Sequence, residues 1–221
     1  MFKAVFFDLD ETLVKADTLH IEANRKVFKK YHLDWEEIIQ KTKSHDFLGR
    51  RLVDVLKIMR DAMGVSEKSL PLKTLTTERL NIFLKLIKEQ ARLLPGAKRA
   101  LRYVKSKNKV LGIVSSGTRK YINIAIKKFG LDHFVDFVVG EEDVLRGKPN
   151  PECYLKSFSL ASKIIPLKKE ECLVVEDAPN GVIAAKRAGL RVCYVPLFKR
   201  KLPLEVEYQL SNLREFMSIP L

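Results

Sequence analysis

No apolar stretch in this chain approaches the roughly 20 residues that a membrane-spanning helix needs. The first apolar run, Ala4-Val5-Phe6-Phe7, is stopped at once by Asp8. No small-residue cleavage site follows it, so it does not read as a secretion signal, and a cytoplasmic protein with no membrane partner is expected. Cysteine is scarce. Cys153, Cys172 and Cys193 are odd in number and form no CxxC pair, which argues against a disulfide framework or a zinc site. The histidines His20, His32, His45 and His133 have no metal-ligand spacing, and there is no internal repeat or low-complexity tract. Acidic charge is in the minority: 27 Asp and Glu stand against 41 Lys and Arg, for a net charge of +14. The basic residues occur as scattered groups such as Arg25-Lys26, Arg50-Arg51, Lys127-Lys128 and Lys199-Arg200-Lys201, with no long stripe and no interleaved aromatics. Solvated helix faces read this way, so specific nucleic-acid binding is not expected. A basic surface does favour the approach of small anions.

What is present is an α/β pattern. The 221 residues, 46% of them hydrophobic, suffice for one large domain or for a core with an insert. Residues 4–7 are continuously apolar, as in a strand buried on both faces of a parallel sheet. Similar runs occupy 110–114, 172–175 and 192–195, with a shorter one at 136–139. Helical periodicity lies between them, at 97–107, at 120–129 with Gly130 as its stop, and at 180–188 with Gly189 as its stop. Asn150-Pro151 reads as an N-cap followed by proline at the first helical position. Strands alternating with helices predict a doubly wound parallel sheet. Residues 16–92 break the alternation. Three apolar stripes (Ala23, Val27, Phe28 and Tyr31; Leu48 with Leu52, Val55, Leu56, Met59 and Met63; Leu80, Phe83, Leu84 and Ile87) predict successive helices with no convincing strand. The expected division is an α/β core of 1–15 and 93–221 and a helical domain of 16–92, with Trp35 in the core of the latter.

Four clusters fall at or just after the C-terminal ends of the predicted strands, where open α/β sheets bind ligands. Asp8-Leu9-Asp10-Glu11-Thr12 sets two carboxylates where a buried strand stops. Such charges are costly there unless something positive accompanies them, and a divalent cation is the simple remedy. Ser115-Ser116-Gly117-Thr118 offers a hydroxyl and backbone N–H groups leading into a helix, which suits a phosphate. Lys148 lies in Gly147-Lys148-Pro149, and Glu176-Asp177 ends another buried strand.

In this order, DLDET, VSS, GKPNP and VEDAPNG resemble motifs I to IV of the haloacid dehalogenase-like superfamily. The insert resembles that family's C1-type helical cap. Leu94-Pro95-Gly96-Ala97 fits the subgroup containing β-phosphoglucomutase and phosphoglycolate phosphatase. The resemblance implies a Rossmann-like sheet of order 3-2-1-4-5 and a Mg²⁺-dependent phosphatase acting on a small phosphorylated metabolite. Asp8 would be the nucleophile that becomes an aspartyl-phosphate, and Asp10 the general acid and base, positioned by Thr12. Ser115 and the N–H of Ser116 would bind phosphoryl oxygens next to Gly117, and Lys148 would neutralise charge. The metal would be held by Asp8, the backbone carbonyl of Asp10, Glu176 and Asp177. Glu11 stands where many relatives have glycine and is expected to point into a flexible turn. Arg50 lies near the family's substrate-contact loop and could grip a distal anion. A sugar-phosphate mutase would use the same residues. A dehalogenase is disfavoured by the acid at position 10, and a non-catalytic nucleic-acid-associated protein by the intact Asp8, Asp10, Lys148 and Asp177.

Overall fold

The structure, a computed structural model, describes residues 1–43, 47, 50–196, 202 and 204–221. His45, Leu48, Gly49 and the basic group at 199–201 lie outside the described residues. Strands β1 (Ala4–Phe7) and β2 (Val14–Lys15) come first. Helices α1 (Asp17–Lys30), α2 (Trp35–Thr42), α3 (Leu52–Ala62) and α4 (Leu72–Gln90) follow, and then β3 (Arg92–Leu93). From there strands and helices alternate: α5 (Ala97–Ser106), β4 (Val110–Val114), α6 (Arg119–Phe129), β5 (Phe137–Val139), α7 (Glu152–Ser162), β6 (Cys172–Glu176), α8 (Pro179–Arg187), β7 (Arg191–Tyr194) and β8 (Tyr208–Gln209).

Six strands form one parallel sheet in the order β5-β4-β1-β6-β7-β8. Its first five members reproduce the expected 3-2-1-4-5. The sixth, β8, is only two residues long and carries no apolar run that would mark it. Alternate residues of each strand face opposite layers. Val5 and Phe7 join Leu101, Ile113, Ile122 and Val175 on one side, while Ala4 and Phe6 join Val114, Tyr154, Val174 and Val182 on the other. Burial on both faces explains why the strands are apolar throughout, and each fully buried Val, Leu or Phe side chain contributes about 1.5–3 kcal/mol.

The helices after β2 have a cluster of their own, including Val27, Phe28, Ile38, Leu56, Met59 and Leu75. The start of α1 and the second half of α4 pack instead on the sheet's core, through Leu19, Ala23, Phe83 and Ile87. Where the chain leaves the sheet and returns to it, β2 and β3 pair antiparallel with Val14 opposite Leu93. Two short details differ from the sequence reading. Helix α7 starts one residue late: Pro151 occupies the cap position and the Asn150 side chain accepts from the Glu152 N–H at 3.1 Å. Glu11 does not point into a flexible turn. It is buried, with φ of 55°, and its carboxylate accepts the Ala16 and Asp17 N–H groups at 2.7 Å each. The acid therefore supplies the start of α1 with the acceptor its unpaired N–H groups need. Among the described residues no helix is long and apolar enough to cross a membrane.

Candidate active site

Register decides which residues meet. Phe7 of β1 lies level with Ile113 of β4 on one side and Val175 of β6 on the other. All three strands run in the same direction, so the residues that follow each of them leave the sheet at one edge. Asp8, Ser115, Glu176 and Asp177 therefore converge although they are far apart in sequence, and the Asp8 N–H donates to Val175 O at 2.9 Å. Oxygens of Asp8, Glu176 and Asp177 lie within 4.8 Å of one another. Lys148 reaches into the same group, donating to Asp8 Oδ1 and to Glu176 Oε1, each at 2.6 Å, and all three of these residues are buried.

The electrostatics are unbalanced. Three carboxylates face one ammonium group. Burial pushes the Asp8 carboxyl well above the usual range, partly offset by Lys148 and reinforced by Glu176 and Asp10. Asp177 is raised the same way, by burial first and then by Asp8 and Glu176. Burial alone would lower Lys148, but Asp8 and Glu176 more than reverse this and hold its ammonium form well above the ordinary range. An all-oxygen donor set with two negative charges left over fits a hard divalent cation, and Mg²⁺ is of that kind.

The supporting residues are placed closely. Tyr154 donates its hydroxyl to Glu176 Oε1, and the Lys148 ammonium lies 5.2 Å from the centre of the Tyr154 ring. A Cβ at Gly181 would come within 1.9 Å of Glu176 Oε1, so the glycine of VEDAPNG leaves room for this carboxylate. Ser115 Oγ accepts from the Gly117 N–H at 3.0 Å. A Cβ at Gly117 would meet the Tyr121 ring at 2.6 Å, and Thr118 caps α6 by accepting from the Tyr121 N–H.

The Thr12 hydroxyl donates not to Asp10 but to Asp177 Oδ1, at 3.2 Å. The turn after β1 aims this side chain across the sheet edge toward β6, so what it orients is Asp177. Asp10 is held by two residues no motif marked: the buried Tyr121 donates its hydroxyl to Oδ1, and His20 Nε2 lies 3.4 Å from Oδ2. His20 is held in turn by Arg79, whose Nη2 lies 2.7 Å from Nδ1, while Arg79 Nε donates to Asn24 Oδ1 at 2.7 Å. Burial, then Arg79, lowers His20 and favours the neutral imidazole. His20 follows the first cluster closely enough in sequence to face the cleft, and helical spacing puts Asn24 on the same face of α1, but the contact with Asp10 itself comes from the packing. Above these groups opens a cleft of about 410 Å³ that reaches α1, α2 and α3 and includes Arg50. Trp35 is half-buried, packing on the helical cluster and also lining the cleft.

A parallel sheet that delivers three carboxylates and a lysine to one edge, with helices inserted after its first strand, defines a class of enzyme. The chain belongs to the haloacid dehalogenase-like hydrolase family, whose sequence profile matches residues 5–195. Among similar proteins, the Phosphorylated carbohydrates phosphatase of Thermotoga maritima is 30% identical over 193 residues, 87% of this chain and 84% of that one. The Validoxylamine A 7'-phosphate phosphatase of Streptomyces hygroscopicus subsp. limoneus is 30% identical over 191 residues, 86% of this chain and 84% of that one. Of solved structures, CbbY from Rhodobacter sphaeroides in complex with phosphate superposes with a TM-score of 0.82 at 23% identity, over 97% of this chain and 96% of that one, a likeness of fold.

Proposed function

We propose that this protein is a Mg²⁺-dependent phosphatase that hydrolyses a small phosphomonoester through an aspartyl-phosphate on Asp8. The observation that carries the reading is the pair of 2.6 Å contacts from Lys148 to Asp8 and Glu176, beside Asp177. An anionic nucleophile facing an anionic phosphate needs its repulsion offset, and phosphoryl transfer is otherwise mostly a matter of placement. Asp8 Oδ attacks phosphorus, the P–O bond to the alcohol breaks, and Asp10 gives its proton to the departing oxygen. Asp10 then takes a proton from the water that attacks the aspartyl-phosphate, which frees Asp8 and inorganic phosphate. Ser115 Oγ and the Ser116 N–H hold phosphoryl oxygens, Gly117 lets the loop approach closely, and Arg50 meets the distal part of the substrate. Asp8, Asp177 and the Asp10 carbonyl would hold Mg²⁺, with Thr12 orienting Asp177. Glu176, already engaged by Lys148 and Tyr154, aims the lysine and would hold the ion directly or through a water. When bound, the cation supplies charge neutralisation at the phosphoryl oxygens.

On the same reading, 16–92 is a cap domain over a core of 1–15 and 93–221, joined through β2 and β3. The free, buried cysteines agree with a cytoplasmic protein. The test is phosphate release from p-nitrophenyl phosphate. Asp8→Asn is expected to abolish it with the thermal melt intact, and EDTA to abolish it until Mg²⁺ is restored. Turnover near that of the parent in the variant, or an undiminished rate in chelator, overturns the assignment. Isomerisation of a sugar phosphate with little release would mark a mutase using the same nucleophile.

A further inference from the structure

We infer that the alcohol half of the substrate is an apolar group, an aromatic ring or branched hydrocarbon, and not a polyhydroxylated sugar. The inference rests on the phosphatase reading and concerns the far wall of the same cleft. That wall carries Ile21 of α1, Trp35 and Ile39 of α2, and Leu52, Val55 and Met59 of α3. Ile21 is 51% and Ile39 39% exposed, although both are large hydrophobics set in helices with polar positions to spare. Apolar side chains gathered at the mouth of a cleft, open to water, mark a surface that something covers. The cleft holds about 410 Å³ and leads to Asp8, so its occupant is the small molecule whose phosphate reaches the nucleophile.

Among the described residues, the polar side chains of α1 and α4 that line the cleft beside this wall are engaged with one another. Asn24 Oδ1 accepts from Arg79 Nε, Arg79 Nη2 meets His20 Nδ1, and His20 Nε2 meets Asp10. A hydroxyl set against Ile21, Ile39 and Met59 would give up water for side chains that offer no hydrogen bond, whereas a ring or alkyl chain would bury the same wall favourably. Arg50 shares the wall and sets one cation among these six apolar side chains.

The experiment compares kcat/KM for 2-phenylethyl phosphate with that for glucose 6-phosphate, by phosphate release in Mg²⁺. Both are esters of primary alcohols, so the chemistry of the leaving oxygen is matched. The expected result is a preference of about tenfold or more for the phenylethyl ester, the size of discrimination an apolar pocket supports. In the double variant Ile21→Gln, Ile39→Gln that ratio is expected to fall about tenfold. Both sites are open enough to accept glutamine, which suits helices. A ratio near one or favouring glucose 6-phosphate, or a ratio the double variant leaves unchanged, overturns the inference while the phosphatase reading stands. Release from neither ester overturns the inference, and overturns the phosphatase reading as well when p-nitrophenyl phosphate is not hydrolysed either.

Discussion

Tyr121 shows what a single hydroxyl does in a buried site. It lies at the first turn of α6, 1% exposed, and donates to Asp10 Oδ1. Burial, then the charge of Asp10, holds its phenol well above the ordinary range, so it stays a donor at any working pH. Tyr121→Phe keeps the ring that packs against Gly117 and removes only this bond. Steady-state kinetics are expected to show kcat down about tenfold with KM little changed, the cost of one well-placed hydrogen bond. Glu141 offers a pH test. Its N–H donates to Gly117 O, and burial, partly offset by Arg51, raises its carboxyl from 4.5 to about 7. A folded-state value above the unfolded one means the group's contribution is full below about pH 4.5 and lost as pH rises through about 7. Above that, the fold carries an ionised carboxylate it disfavours. Glu141→Gln is expected to stabilise by about 1 kcal/mol at pH 8, after allowance for solvent screening, and to change little at pH 4. Thermal melts at the two pH values check the sign.

At the scale of the element, the start of α1 depends on a residue that lies outside the helix. No side chain caps α1 from its N-cap position, Ala16, and Glu11 serves instead across the turn. Glu11→Ala leaves two N–H groups without their acceptor and keeps the unfavourable φ. A loss of about 2 kcal/mol is expected, or about 4–8 °C in Tm. Glu11→Gly should lose less, because glycine relieves a backbone strain of order 1 kcal/mol at that φ. Since α1 carries His20 toward Asp10, activity should fall along with stability, and thermal unfolding run beside the phosphatase assay measures both. Gly181 illustrates the complementary case, an element whose small residue exists for the carboxylate packed on it.

Across the whole molecule, side chains join the inserted helices to the sheet layers. Lys128 of α6 donates to Ile87 O at 2.8 Å and Lys88 O at 2.7 Å at the end of α4, and Arg51 donates to Leu145 O at 2.9 Å beside the loop that carries Lys148. Net charge belongs to this scale too. An excess of +14 draws an anionic substrate from a distance, and salt screens that attraction. Raising salt from about 0.05 M to about 0.5 M is expected to raise KM several-fold for a phosphomonoester while kcat changes little, since the Debye length shrinks below the size of the cleft. An unchanged KM would show that the surface charge does not guide the substrate.

Much of this was legible in the residues alone. Apolar runs stopped by Asp8, Ser115 and Glu176 marked the strands and the edge that bears the chemistry, because a strand buried on both faces cannot hide its composition and its polar ends lie at the sheet's edge. The helical insert was legible from its stripes for a similar reason. What the sequence did not carry was direction across space. That Thr12 would turn to Asp177 and not Asp10, that Glu11 would cap a helix, that Tyr121, His20 and Arg79 would form a chain ending on Asp10, and that Ile21 and Ile39 would face a cleft were decided only when the turn after β1 met α1 and the end of β6 and when α1, α2, α4 and α6 took their places. Local pattern reports how each segment meets water. Which side chain meets which depends on the packing of segments far apart in the chain, and no single stretch of sequence contains that.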